Sequence, residues 1–296
     1  MAISTKLLRM QLELFKPLIN GCTLEVARSG QDKLGQLMAR THQSEVEYES
    51  VSFPCFDGEW IRPKQCRRRG VILYLHGGGY VAGDIDYAKG YGTILCAKNG
   101  MEVFCAAYRL APEAPFPAAL EDAQTAYQYL LDSGYAQQEI VLCGESAGGG
   151  LIYALTLKLR EQGRPMPAAL IAISPWTDLT LSGESYEKNR QRDPSLTRDR
   201  LDFFAQQYLQ GREQAENPLV SPLFAKLDGM PPSLIFVGGD EILLDDACRL
   251  ASGLSEAGCS VQLQVRQNMW HAYILYGVRE ARQDEEKIQA FIEEVL

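Results

Sequence analysis

The sequence predicts an α/β fold, a mostly parallel central sheet flanked by helices. Three observations carry that prediction. Short apolar runs of strand length alternate with helix-length segments from residue 71 to the end. The sharpest unit is Ile140-Val141-Leu142-Cys143, then a glycine-rich turn at residues 144–148, then Leu151-Ile152-Tyr153-Ala154-Leu155, which reads as strand, turn and helix. The chain has 296 residues, 46% of them hydrophobic and 23% charged, ordinary for a globular protein of one large domain with or without an appendage.

Each element follows in order. Leu7, Leu8, Leu12, Phe15, Leu18 and Ile19 fall near helical spacing, with Lys6, Arg9, Glu13 and Lys16 between them. Pro17 is expected to end or bend that helix. Gln31 to Arg40 reads as a second helix. From Glu45 the period changes: Val46, Tyr48 and Val51 alternate with polar residues, Asp57-Gly58 marks a turn, and a strand resumes at Glu59-Trp60-Ile61. Strands are expected at Val71–Leu75, Glu102–Ala107, Ile140–Cys143, Ala169–Ile173, Ser233–Val237 and Val261–Val265. Helices are expected at Pro117–Leu131, Ala147–Glu161, Leu243–Ala257 and Ala281–Val295. Between Asp178 and Ser233 there is no strand, and Phe203, Phe204 and Tyr208 cluster in a polar stretch. An excursion of that length is usually functional. The organisation is therefore residues 1–44 as N-terminal helices and 45–296 as the main domain, with an insertion at about 180–215. The N-terminal pair reads equally well as packing or as a cap over a pocket.

Composition narrows the partners. A net charge of −9 argues against nucleic acid or an anionic membrane surface. Arg67-Arg68-Arg69 reads as an exposed loop. The eight cysteines form no C-x-x-C pair, and Cys105 and Cys143 sit in apolar runs, so free buried thiols are expected. No secretory leader is read at the N-terminus, and no apolar run approaches the roughly 18 residues that span a bilayer, so a cytoplasmic chain without membrane insertion is expected. No His or Cys cluster has metal-ligand spacing, and neither a metal nor a cofactor is expected.

The turn at 144–148 is Gly144-Glu145-Ser146-Ala147-Gly148, a Gly-x-Ser-x-Gly between strand and helix. In that context the serine hydroxyl projects as a nucleophile and the next backbone N–H faces the same reacting atom. The strand at 71–75 ends in His76-Gly77-Gly78-Gly79-Tyr80. The dinucleotide pattern G-x-G-x-x-G is absent, and no Gly-Lys-Ser/Thr follows. What fits is a loop whose N–H groups stabilise an oxyanion, each worth about 3 kcal/mol. The donors expected are Gly78, Gly79 and Ala147. Of three histidines, His42 reads as a surface residue and His76 as a brace of the glycine loop. His271 follows the last strand, where the order Ser…Asp/Glu…His places the base. Its alternative is a satisfied structural histidine. Asp240, after the strand at 233–237, is the expected acid that holds the imidazole tautomer, with Glu241, Asp245 and Asp246 as rivals.

In combination, His76-Gly77-Gly78-Gly79, Tyr108-Arg109-Leu110-Ala111-Pro112-Glu113, Gly144 to Gly149 and Asp240-Glu241-Ile242-Leu243-Leu244-Asp245-Asp246 resemble the hormone-sensitive lipase-like (bacterial family IV) esterases of the α/β-hydrolase superfamily. The resemblance runs from about residue 45 to the end. It implies an α/β-hydrolase fold, a Ser146/Asp240/His271 triad, an oxyanion hole from Gly78, Gly79 and Ala147, a two-part cap, and a homodimer through the sheet edge near Val261–Val265. It also places an aspartate near Asp245 that braces the His271 loop. Two departures stand out: Glu145 precedes the serine where many members have Asp, and Asp240-Glu241-Ile242 stands for Asp-Pro-Leu. Arg109 and Glu113 are expected to brace the sheet edge. The function expected is hydrolysis of small, short-acyl carboxylic esters, since no exposed apolar surface run is anticipated. The rivals are an arylformamidase-type amidase with the same triad and a non-catalytic hydrolase-like binding protein, which would typically lose the histidine.

Overall fold

The computed structural model describes residues 4–296. The chain opens with two helices, α1 (Thr5–Gly21) and α2 (Leu24–Ala39), capped by the Ser4 and Thr23 hydroxyls. Then follow β1 (Val46–Ser52), β2 (Asp57–Pro63), β3 (Val71–Leu75), α3 (Ile85–Asn99), β4 (Glu102–Ala107), α4 (Ala118–Asp132), β5 (Ile140–Glu145), α5 (Ala147–Glu161) and β6 (Ala169–Ile173). Next come a short α6 (Ser185–Lys188) and α7 (Arg198–Leu209), then β7 (Ser233–Gly238), α8 (Leu244–Glu256), β8 (Val261–Arg266) and α9 (Ala281–Val295).

One eight-stranded sheet has the order β1-β2-β4-β3-β5-β6-β7-β8. β2 runs antiparallel to both β1 and β4, and every other pairing is parallel. β3, β5 and β6 are buried along their whole length, as strands covered on both faces must be. One face packs under α4, α5 and α8, through Leu120, Leu151, Leu155 and Leu250. The other packs under α3 and α9, through Tyr91, Leu95, Phe291 and Ile292.

The expected elements are present, although α2 begins at Leu24 rather than Gln31 and the excursion holds the unexpected α6 and α7, and four further differences have physical causes. First, α3 gives no periodic signal because it is buried nearly all round, and its glycines let neighbours approach. A Cβ at Gly90 would lie 2.6 Å from the Gly35 Cα of α2, and one at Gly92 would lie 2.5 Å from the Cys105 sulfur. Second, Asp57-Gly58 is not the turn. The chain reverses earlier, with the Phe53 N–H donating to the Phe56 carbonyl, and Gly58 sits inside β2 because the Phe104 ring occupies the space of its side chain. Third, α1 continues through Pro17 to Gly21. Proline leaves the carbonyl four residues back without a donor, and Glu13 is exposed to water. Fourth, α1 presents an apolar stripe to solvent: Leu7, Met10, Leu14, Phe15 and Leu18 are all exposed. This corrects the expectation of no exposed apolar run. The stripe arises because the inward face of α1 carries Arg9 and Lys16, which bond to the body of the protein.

The eight cysteines are unpaired, and Cys96, Cys105 and Cys143 are buried. Among the described residues no helix is long and apolar enough to cross a membrane.

The Gly58 packing is testable. Gly58→Val places a Cβ 2.4 Å from the Phe104 ring, a clash the buried ring cannot relieve by swinging into solvent. Overpacking of this kind costs about 1–3 kcal/mol. Thermal unfolding of the purified variant should show a midpoint lowered by several degrees. An unchanged midpoint would mean that the ring repacks freely.

Candidate active site

The loops at the carboxyl ends of β3, β5 and β8 border one cavity, the usual place for ligands in an open α/β sheet. Its volume is about 440 Å³, and its walls include Gly78, Gly79, Ser146 and His271. α1, α2 and α7 supply most of the remaining wall, through Leu12, Ile19, Leu34, Leu201 and Phe204.

Ser146 is the one residue between β5 and α5. Its backbone is at φ 54°, ψ −120°, a conformation an L-residue adopts only when neighbours enforce it. Its N–H donates to the Ile173 carbonyl and its carbonyl accepts from Trp176, both at 2.9 Å. The turn has no room for side chains on either side. A Cβ at Gly144 would sit 2.4 Å from the Gly148 carbonyl oxygen, and one at Gly148 would sit 2.0 Å from that of Leu75.

The glycine loop after β3 is held from behind. Gly78 and Gly79 have φ of 110° and 65°, and the Phe204 ring lies against Gly79. Among the described residues, the N–H groups of Gly78, Gly79 and Ala147 donate no hydrogen bond. Gly78 and Gly79 border the same cavity as the serine, and Ala147 directly follows it at the start of α5. His76 is fully buried and stacks on Tyr108 at 4.3 Å, with Nδ1 2.7 Å from the Gly77 carbonyl. Burial pushes its pKa down to about 4, so it is neutral at physiological pH. It braces the loop, as expected, and the Tyr108 hydroxyl donates to its carbonyl.

Glu145 lies beneath this loop. Its carboxylate accepts from the Gly77 N–H at 2.6 Å and from the hydroxyls of Tyr74 and Tyr87. Burial raises its pKa to about 7 against the pull of those three donors. Glu145 therefore supports the glycine loop from below.

The acids after β7 are placed differently from the sequence expectation. Asp240 does not face His271. Its carboxylate binds Arg9 of α1 at 2.7 Å and Arg192 of the 174–232 excursion. Glu241 points inward instead. Its Oε1 lies 3.8 Å from His271 Nδ1, slightly beyond hydrogen-bond length, and neither atom has another partner. The other oxygen, Oε2, accepts from the Ser174 hydroxyl at 2.7 Å and from the Gly238 N–H. Ser174 also accepts from the Ala272 N–H, tying the acid to the histidine loop. Burial raises the Glu241 pKa, and His271 and Ser174 moderate the rise. Burial opposes the His271 imidazolium, but Glu241, Asp193 and Glu145 together carry its pKa above the ordinary value.

The cause of the reversal is the turn after β7. Glu241 follows Gly238 and Gly239, where a Cβ would meet the Met269 carbonyl and the Gln267 backbone, so the chain passes tightly under the histidine loop. Adjacent residues there face opposite ways. The two rivals further on are structural. Asp246 accepts from the N–H groups of Thr177 and Asp178 and from the Tyr186 hydroxyl. Asp245 accepts from the Ser185 N–H and not from the His271 loop. Arg109 pairs with Asp122 of α4, while Glu113 pairs with Arg28 of α2 rather than with the sheet edge. His42 lies apart from the site, 2.6 Å from Glu45. Ser174, Arg9 and Arg192 carried no sequence signal, since nothing local distinguishes them from other Ser and Arg residues.

Glu145 generates a pH prediction. A carboxyl whose folded pKa is raised from 4.5 to about 7 favours the folded state below pH 4.5 and loses that contribution as pH rises through 7. Glu145→Gln lacks this titration. The difference in melting midpoint between wild type and variant should therefore drift against the wild type between pH 4.5 and 7 and then level. A difference independent of pH would place the carboxylate in a solvated environment.

The site and fold agree with known proteins. The family described as alpha/beta hydrolase fold matches residues 72–275. An acetyl-hydrolase from Streptomyces hygroscopicus is 40% identical over 218 residues, 74% of this chain and 72% of its own. An esterase from Acinetobacter venetianus is 36% identical over 231 residues, 78% of this chain and 76% of its own. The structure of EstE7, a hormone-sensitive lipase homologue from a metagenome library, superposes with a TM-score of 0.90 at 33% identity, covering 99% of both chains. An esterase of the bacterial hormone-sensitive lipase family gives a TM-score of 0.89 at 35% identity, covering 100% of this chain and 99% of its own. The chain belongs to the α/β-hydrolase family, among the bacterial hormone-sensitive lipase-like esterases, and is a carboxylic-ester hydrolase.

Proposed function

We propose that the chain hydrolyses small, short-acyl esters through an acyl-enzyme intermediate, with Ser146 as nucleophile, His271 as base and Glu241 as the acid behind it. The observation that carries this reading is the convergence of a strained Ser146, the undonated N–H groups of Gly78 and Gly79 and His271 on one cavity, with the undonated Ala147 N–H next to the serine.

The Ser146 hydroxyl attacks the ester carbonyl while His271 takes its proton. The carbonyl oxygen becomes an oxyanion and receives the N–H groups of Gly78, Gly79 and Ala147. His271 then protonates the leaving alcohol, leaving the acyl group on Ser146. Water enters, His271 removes its proton, and the second tetrahedral intermediate collapses to the acid. Glu241 fixes the imidazole so that its other nitrogen faces the serine, and its charge stabilises the imidazolium. The 3.8 Å gap closes with a small side-chain movement, as catalytic hydrogen bonds often tighten only with substrate bound. Asp240 acts elsewhere, anchoring α1 and the excursion over the cavity.

Residues 1–44 and the insertion at about 180–215 act as the two halves of a cap. Lys16 reaches the Asp193 carbonyl and Asn20 the Ser195 carbonyl, which supports their moving as one unit. Short acyl groups fit the enclosed cavity, and one relative is named acetyl-hydrolase. Unpaired cysteines support a cytoplasmic setting. The open edge of β8 supports a homodimer formed there.

Two substitutions test the assignment of the acid. Glu241→Gln should lower kcat for a short-chain aryl ester by about 10⁴, the cost of losing the tautomer-holding carboxylate in a serine protease. Asp240→Asn should act mainly on KM and thermal stability, with kcat within about tenfold. The reverse pattern would restore Asp240 as the acid. Ser146→Ala should abolish turnover, by about 10⁶, while leaving the melting midpoint near that of the wild type. A variant keeping a tenth of wild-type activity would remove Ser146 from the reaction.

A further inference from the structure

The cavity holds a cation that the reaction above does not use. Arg200, in the first turn of α7, is the one Lys or Arg side chain in its wall. Its guanidinium carbon lies 4.7 Å from the Phe204 ring centre and 5.4 Å from that of Phe203. Nη1 donates to the Cys22 carbonyl at 2.9 Å, and Nη2 approaches the Cys22 sulfur at 3.8 Å. No carboxylate of the described residues lies within ion-pair distance of it. Arg9, Arg28, Arg109 and Arg266, also partly buried, pair with Asp240, Glu113, Asp122 and Asp284, and Arg160 and Arg164, which have no acid either, lie outside the cavity and donate to the Asp228 and Lys226 carbonyls and to the Gln128 side-chain oxygen.

The surroundings explain why an unpaired guanidinium is informative. Leu12, Leu18, Leu34, Leu196 and Leu201 make this wall apolar. A cation in such a wall is poorly solvated, and a carboxylate that meets it is bound more strongly than on an open surface. A guanidinium has five N–H donors, and the protein engages two of them. The Phe204 ring touches both the guanidinium and Gly79 of the oxyanion loop, so the open donors lie about one ring from the reacting carbonyl. The chain as a whole carries −9 and repels anions at long range, so only a local cation can favour an anionic substrate.

We propose that Arg200 is a specificity-determining residue that binds a carboxylate on the substrate, so that the preferred esters carry one free carboxylate a few bonds from the scissile carbonyl. This rests on the esterase reading of the same cavity. The carboxylate can belong to the acyl part, as in a half-ester of a dicarboxylic acid, or to the alcohol part.

Matched probes distinguish the two sources. Monomethyl glutarate is compared with its carboxamide analogue for the acyl side, and 4-acetoxybenzoate with 4-acetoxybenzamide for the alcohol side. Each is assayed with the purified full-length wild type, Arg200→Met, Arg200→Lys and Ser146→Ala. Hydrogen bonds to charged groups lead one to expect kcat/KM for the carboxylate of one pair to fall about tenfold or more in Arg200→Met. The amide partner should change less than about twofold, and Arg200→Lys should keep part of the preference. The pair that responds identifies the side of the ester bond. Equal losses for carboxylate and amide would make Arg200 a tie between α7 and Cys22 only, and would overturn the proposal. A wild type with no preference for either carboxylate would overturn it too. Turnover of the amides that vanishes in Ser146→Ala keeps the esterase reading whichever way Arg200 falls, and a wild type inert to all four probes would refute that reading instead.

Discussion

The structure depends on one backbone constraint, the forced left-handed conformation of Ser146. A serine at φ 54° is costly, and it persists because the strand before it is buried throughout and the helix after it is buried from Ala147 to Leu157, which leaves no alternative path. Gly144 and Gly148 follow from the same constraint, since each would strike backbone if it carried a side chain. Once the turn is fixed, the Ala147 N–H starts a helix and has no carbonyl to bond. The glycine loop after β3 is then pressed against the start of α5, which brings its own undonated N–H groups to the same space. The strained serine and the undonated N–H groups beside it are thus consequences of one packing problem.

Carboxylates around the site divide according to what surrounds them. Asp240 and Glu241 are adjacent in sequence and buried alike, yet one meets two arginines and the other meets an imidazole and a serine hydroxyl. An acid locked between two guanidiniums is a poor partner for an imidazole, because its negative charge is already compensated. An acid with one oxygen left unpartnered is a good one. Glu145 takes a third role, with its charge directed to the N–H of Gly77 and to two phenols. Chain order alone cannot separate these roles, since all three residues stand at the carboxyl ends of strands.

That distinction also marks what was legible in the sequence. The sheet strands from β3 onward could be read because buried parallel strands are continuous apolar runs bounded by turns. The elbow and the glycine loop could be read because their chemistry demands small residues at fixed places. Helix α3 could not, because a helix buried on all sides has no polar face to reveal its period, and its glycines look like breakers when they are contact points. Gly58 misled for the same reason, its missing side chain serving the Phe104 ring rather than a turn. That Glu241 and not Asp240 faces His271 could not be read, because the direction of a side chain after a Gly-Gly turn is set by the Met269 and Gln267 backbone, about thirty residues away in the chain.

Helix α1 and the 174–232 excursion show how the remaining charges are organised. They lie far apart in sequence, and cations from both meet at Asp240. Arg9 spans Asp240, the Arg192 carbonyl and the Asn268 carbonyl, and Lys16 reaches the Arg190 and Asp193 carbonyls. Using the inward face of α1 for these bonds turns its apolar residues outward, which accounts for the exposed stripe from Leu7 to Leu18. Carbonyl partners and half-exposed pairs hold a helix less rigidly than a sealed core does, because water competes for each bond. α1 is fastened in this way, while the turn at Ser146 beneath it is held by buried backbone bonds. Arg200 of α7 differs from Arg9, because it meets the Cys22 carbonyl and two rings and no acid of the described residues. The helices over the cavity therefore bring to its wall a cation that the strand ends do not supply.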